Sequence, residues 1–82
     1  MHNLRLKKAI LEVVDNQIAA NAPPATKQTL DRLLSQGLSE VEAKELIGAV
    51  VVSEAFKVLQ AQEPYDEKRF VEALNKLPEI PD

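Results

Sequence analysis

The side chains that most often carry chemistry are scarce in this chain. There is no cysteine and a single histidine, His2. Disulfides, thiolate metal sites and cysteine nucleophiles are therefore excluded. A Ser-His-Asp triad would have to use a histidine second from the N-terminus, where backbones fray. Only Gly37 and Gly48 supply glycine, and neither lies in a phosphate-cradling pattern. What remains is carboxylates and guanidiniums. The pairs Glu40/Glu42 and Asp66/Glu67 fall at helix starts, where the macrodipole favours negative charge without any catalytic role. Glu54 is different. Residues 40–62 read as one long helix. At 100° per residue its densest apolar stripe is Ala43, Ile47, Val50, Val51 and Val58, with Glu54 in the middle. A buried carboxylate with no partner costs several kcal/mol, so it must be ion-paired, protonated or wet. Arg32 and Arg69 are the candidate partners, and the three residues make up a candidate buried polar site. A di-metal carboxylate bundle needs several inward acids and usually histidines. Only Glu54 points inward on the wheel, so no catalytic, metal or cofactor residue is assigned and no enzymatic activity is expected.

The elements that place Glu54 follow from the punctuation of the chain. The pattern predicts four helices, at about 4–20, 24–36, 40–62 and 66–77. Asn3 can cap the first, whose apolar face is Leu4, Ile10, Leu11, Val14 and Ile18, with Lys8 and Glu12 as an i,i+4 pair. Asn21-Ala22-Pro23-Pro24 ends it, because proline lacks the amide donor and disfavours a helical predecessor. Pro24 suits the first turn of helix two, which turns Leu30, Leu33 and Leu34 inward. Gly37 closes that helix as a left-handed C′ residue, and Leu38 packs down. Ser39 and Glu42 form a capping box that opens helix three. Pro64 follows helix three, Asp66 caps helix four, and Tyr65 with Phe70 is spaced as a hydrophobic staple. Phe70, Ala73, Leu74 and Leu77 face inward, Lys68, Glu72 and Lys76 face outward, and Ile80 can pin the tail. The β-branched run 47–52 has poor helix propensity, but no second strand-like segment exists to pair with it. The expected fold is all-α: a compact four-helix bundle, a single domain over 1–82, with the long third helix at its centre.

Composition narrows the function. Eighty-two residues with 45% apolar content make one small globular domain. Such a chain buries only about 60% of its unfolded surface. Net charge is −3 and the pI about 5.1, against the basic face of a nucleic-acid binder. Arg5, Lys7 and Lys8 form a small basic cluster offset by Glu12 and Asp15. The longest apolar run, 46–52, is far too short to span a bilayer, and no segment reads as a signal peptide, so a cytoplasmic location is expected.

Three stretches resemble known families. Residues 29–39 look like the first helix and turn of a helix-turn-helix DNA-binding regulator. Its recognition helix would begin Glu40-Val41-Glu42-Ala43-Lys44-Glu45, too acidic to face phosphates. The run Leu33-Leu34-Ser35-Gln36-Gly37-Leu38, followed by Glu42-Ala43, is similar to the loop and following helix of ubiquitin-associated three-helix domains. Here Leu38 stands where that family has an aromatic, and helix three is about twice as long. Residues 23–77 resemble an uncharacterised small all-helical domain of bacterial proteins, a domain of unknown function. That resemblance rests on Pro23-Pro24, Leu30-Asp31-Arg32-Leu33-Leu34, Gly37-Leu38-Ser39, Glu42-Ala43, Glu54-Ala55-Phe56, Pro64-Tyr65-Asp66 and Arg69-Phe70-Val71-Glu72-Ala73-Leu74. It implies an all-helical fold and a bacterial source, and carries no activity with it.

Apolar side chains also occupy the other faces of helix three, at Val41, Ala49, Val52, Phe56 and Leu59. A helix apolar on several sides is either central or at a subunit contact. The leading expectation is a non-enzymatic interaction or oligomerisation module, with a second copy or another protein as partner and those five residues as the interface. The alternatives are a small-ligand or metal-binding bundle centred on Glu54 and, behind it, the DNA regulator.

Overall fold

The computed structural model describes residues 4–79. The expectations placed on His2, Asn3 and Ile80 lie outside the described residues. The architecture is all-α: α1 (Leu4–Ala20), α2 (Pro24–Ser35), α3 (Glu40–Gln60) and α4 (Glu67–Lys76), with no strand among the described residues.

Each boundary has a local cause. At the end of α1 the Ala22 N–H reaches the Gln17 carbonyl and the Asn21 N–H the Ile18 carbonyl, both at 3.1 Å. That is a Schellman closure, with Asn21 in the left-handed region at φ 51°. Asparagine tolerates this conformation better than most side chains. The end of α2 repeats the arrangement: Leu38 N–H to Leu33 at 3.2 Å and Gly37 N–H to Leu34 at 3.0 Å, with Gly37 at φ 97°. Pro24 occupies the first turn of α2, where its missing N–H costs nothing. The α3 capping box forms as expected, Glu42 N–H to Ser39 Oγ at 3.1 Å and Ser39 N–H to Glu42 Oε1 at 3.0 Å. Those backbone and hydroxyl bonds hold the Glu42 carboxyl below its ordinary pKa. Asp66 caps α4 by accepting from the Arg69 N–H at 3.2 Å. The staple closes with the Tyr65 and Phe70 ring centroids 6.3 Å apart.

Inside lie Val14, Leu30, Leu33, Ala43, Ile47, Val50, Phe70, Leu74 and Leu77. The buried Thr26 hydroxyl donates to Gln17 Oε1 at 3.0 Å, so α2 is tied to α1 by a satisfied polar contact. Helix α3 packs on the other three, as expected of a central helix, and α2 touches all of the others too. Helices α1 and α4 do not pack on each other. Two details differ from the sequence reading. Leu34 is 38% exposed, because Leu33 takes the inward position and a side chain one step further round meets no covering element. Among the described residues Lys8 and Glu12 do not pair; Lys7 instead bonds Glu45 across the α1–α3 contact, and Lys44 bridges Asp15 at 2.8 Å and Glu40 at 2.9 Å.

Gly48 lies where α1 approaches α3 closely. A Cβ there would stand 2.9 Å from Ile10 Cγ2, and a branched methyl cannot swing aside as a flexible chain end can. Helix propensity alone favours Gly48→Ala by about 1 kcal/mol, but overpacking costs about 1–3 kcal/mol. We expect net destabilisation of about 1 kcal/mol, read as a lower midpoint in urea unfolding. A higher midpoint would mean that α1 yields at this crossing.

Candidate functional site

The outward turn of α4's cap sets the site. With Asp66 as N-cap, Arg69 lies in the first turn of α4 and faces back toward α3. Glu54, on the inner side of α3, is 7% exposed. Arg69 Nη2 donates to Glu54 Oε2 at 2.6 Å and Nε to Oε1 at 3.0 Å, a two-pronged pairing in which the planar guanidinium matches the carboxylate. The Asp66 N–H adds a longer contact to Oε2 at 3.4 Å. Arg69 Nη1 reaches Glu63 Oε1 at 3.2 Å. One guanidinium therefore gathers α3, the 61–66 connection and the start of α4.

The Arg69 bonds hold the Glu54 carboxyl below its ordinary pKa, overcoming the opposing push of burial. Glu54 in turn pushes Arg69 further up. Both groups are charged at neutral pH, and both carboxylate oxygens are engaged. A group so placed is poorly suited to exchange protons with a substrate.

Arg32 does something else. Its Nη1 donates to the Leu77 carbonyl at 2.7 Å and its Nη2 to the Leu74 carbonyl at 3.0 Å. The candidate trio is thus divided: Arg69 joins Glu54 at the beginning of α4, while Arg32 closes the end of that helix. A cation there meets both the orphan carbonyls and the negative end of the macrodipole.

Beside Glu54 opens an apolar cleft of about 430 Å³, lined by Gln17, Val51, Glu54, Ala55, Val58, Leu59, Tyr65 and Phe70. It exists because α1 and α4 both lean on α3 without meeting, leaving a gap between the last turns of α1 and the first of α4. The Thr26 bond holds Gln17 at the α1 wall. Gln17 and Tyr65 were not singled out as site residues by the sequence. Gln17 carries no motif, and Tyr65 reads as a staple, which it also is.

The predicted interface residues divide as well. Val41 is 63%, Val52 42%, Phe56 61% and Leu59 78% exposed, whereas Ala49 is partly covered. At 3.6 residues per turn Val41, Val52 and Leu59 fall on one line along α3, interrupted between Val41 and Val52 where α1 lies against Glu45 and Gly48. Phe56 flanks that line on one side. Val51, Ala55 and Val58, which line the cleft, flank it on the other. Leu59 belongs to both line and cleft. Among the described residues no helix is long and apolar enough to cross a membrane.

No protein-family model matches this chain, and no significant similarity to a curated protein or a solved structure is found.

Proposed function

We propose that this chain is a non-enzymatic helical interaction module of the bacterial cytoplasm that self-associates through the outward line of α3. The bacterial source rests on the resemblance of residues 23–77, and the compartment carries over the expectation stated above. The carrying observation is that Val41, Val52, Phe56 and Leu59, on one strip of the longest helix, stay largely exposed. Single exposed apolar residues need no explanation, but an aligned set on one helix is what partner contacts use.

Light scattering on a sizing column at several concentrations tests it. Wild type should reach twice the 9.1 kDa chain mass. Val52→Glu should stay at the single-chain mass with unchanged helical circular dichroism, since the site is exposed. A variant that keeps the doubled mass would defeat the reading.

A second reading, an apolar small-ligand site beside Glu54, draws support from the cleft. Its volume falls within the roughly 300–1,000 Å³ of ligand pockets. The engagement of both Glu54 oxygens by Arg69 weighs against Glu54 as the ligand's anchor, and Glu54→Gln should abolish binding if it is. The DNA-regulator reading rests on the turn motif alone, and absence of retardation in a low-salt gel shift would remove it.

A further inference from the structure

We propose that the cleft beside Glu54 takes an uncharged aromatic compound bearing a carbonyl oxygen, its ring against α3 and Tyr65 and its oxygen accepting from the Gln17 amide. This rests on the small-ligand reading above, and names the class of ligand and the group that orients it.

The walls exclude an ion. Of the eight lining residues only Glu54 is charged, and Arg69 holds both of its oxygens, at 2.6 and 3.0 Å. A cation entering the cleft finds no free carboxylate. An anion finds no cation in the lining, in a chain of net charge −3; Arg69 itself is shared between Glu54 and Glu63. Stripping water from either ion would go uncompensated. A neutral body has no such cost, and gains by taking the place of water against Val51, Ala55, Val58 and Leu59.

The floor suits a flat body. Val51, Ala55 and Val58 recur at helical spacing on α3. Their side chains are short, so none stands far above the helix. Tyr65 lies beside them, 55% exposed, its ring tilted 52° to that of Phe70. An exposed ring at the edge of an apolar floor offers a second ring the offset or edge-on contact that aromatic pairs prefer.

Gln17 supplies the direction. Its Oε1 accepts from the buried Thr26 hydroxyl at 3.0 Å, so one end of the amide is already committed. The NH2 end makes no hydrogen bond among the described residues. That end is a donor only, so the ligand atom that answers it is an acceptor. A carbonyl oxygen provides one without charge.

A series of naphthalenes tests this through the emission of Tyr65. The chain has one tyrosine and no tryptophan, and that tyrosine lines the cleft. Added 2-acetylnaphthalene should quench it saturably. The ions 2-naphthoate and 2-naphthylmethylammonium keep the ring system, and each should bind at least about tenfold more weakly. Ala55→Phe fills the floor from an exposed position and should abolish the quenching. Gln17→Glu keeps an oxygen for Thr26 but has no NH2. It should weaken the ketone about fivefold more than it weakens 2-ethylnaphthalene, as for the loss of one hydrogen bond. In the same variant the carbonyl stretch of the bound ketone should rise in frequency. The comparison of ketone with ions in wild type needs no variant to fold. Equal losses for the two ligands with an unmoved stretch would overturn the oxygen contact and leave an apolar ligand site standing. Tighter binding of either ion would overturn the neutral class. Quenching that survives Ala55→Phe would place the ketone outside the cleft and overturn the assignment. No saturable quenching by any member would remove this proposal and the small-ligand reading together.

Discussion

Glu54→Gln should lower the folding stability of this chain by about 3 kcal/mol, the lower end of the range for breaking a buried ion pair. The lower end applies because the orphaned Arg69 keeps Glu63 at 3.2 Å and its side chain is 28% exposed. Arg69→Met should be worse. It strands the carboxylate, whose side chain is 8% exposed, with only the Asp66 N–H at 3.4 Å. The order of the two variants in urea unfolding is thus set by which partner is better solvated once alone. The double variant Glu54→Leu/Arg69→Met should recover most of the loss, since an apolar pair of similar volume avoids the desolvation of both charges. Equal effects from the two single variants would mean that the pair is open to water.

The same pair fixes the acid response. Because the folded-state pKa of Glu54 lies below its ordinary value, the unfolded chain takes up the proton first as pH falls. Stability is fully present above the ordinary carboxylate pKa and drains as pH drops through the folded-state value. Glu54→Gln removes this component, so its stability should fall less steeply below about pH 4.5. Some slope remains, because Glu42 shifts in the same direction. Parallel acid limbs for wild type and variant would assign the acid sensitivity elsewhere.

Arg32→Met should cost about 2–3 kcal/mol, as expected for losing hydrogen bonds made by a charged group. The Leu74 and Leu77 carbonyls would lose their donor at the end of a ten-residue helix. A helix that short is not stable by itself in water. It depends on packing through Phe70, Leu74 and Leu77 and on closure at both ends. Arg32→Lys should recover little, because a point-like ammonium cannot serve two carbonyls as a planar fork does. Full recovery by lysine would show that charge near the helix end matters and fork geometry does not.

The boundaries of the fold were readable because each is written in adjacent residues. Pro24, Gly37, Ser39 with Glu42, and Asp66 each act within five positions of themselves, and the structure uses all four as the sequence implies. The inward placement of Glu54 was equally readable from periodicity, since a wheel needs only a regular helix. Which arginine would answer it was not. Arg69 is fifteen residues away and Arg32 twenty-two, and both are partly buried at the side of their helix's apolar stripe. The choice depends on how the Asp66 cap aims the first turn of α4, and that is decided in three dimensions. The cleft was hidden for a related reason. It is a gap between α1 and α4, and no local pattern records that two distant helices fail to touch. Leu34 shows the opposite limit: its spacing is right for a core position, but the covering surface is missing.

That missing contact between α1 and α4 has an energetic meaning. Helices α1 and α4 reach each other only through α2 and α3, so direct energetic coupling between them should be weak. Perturbations in α1 and in α4 should therefore add, with no coupling energy between them while the middle pair stays folded. The α4 end, fastened by two guanidiniums, is held by groups whose loss is felt locally before it is felt by the whole.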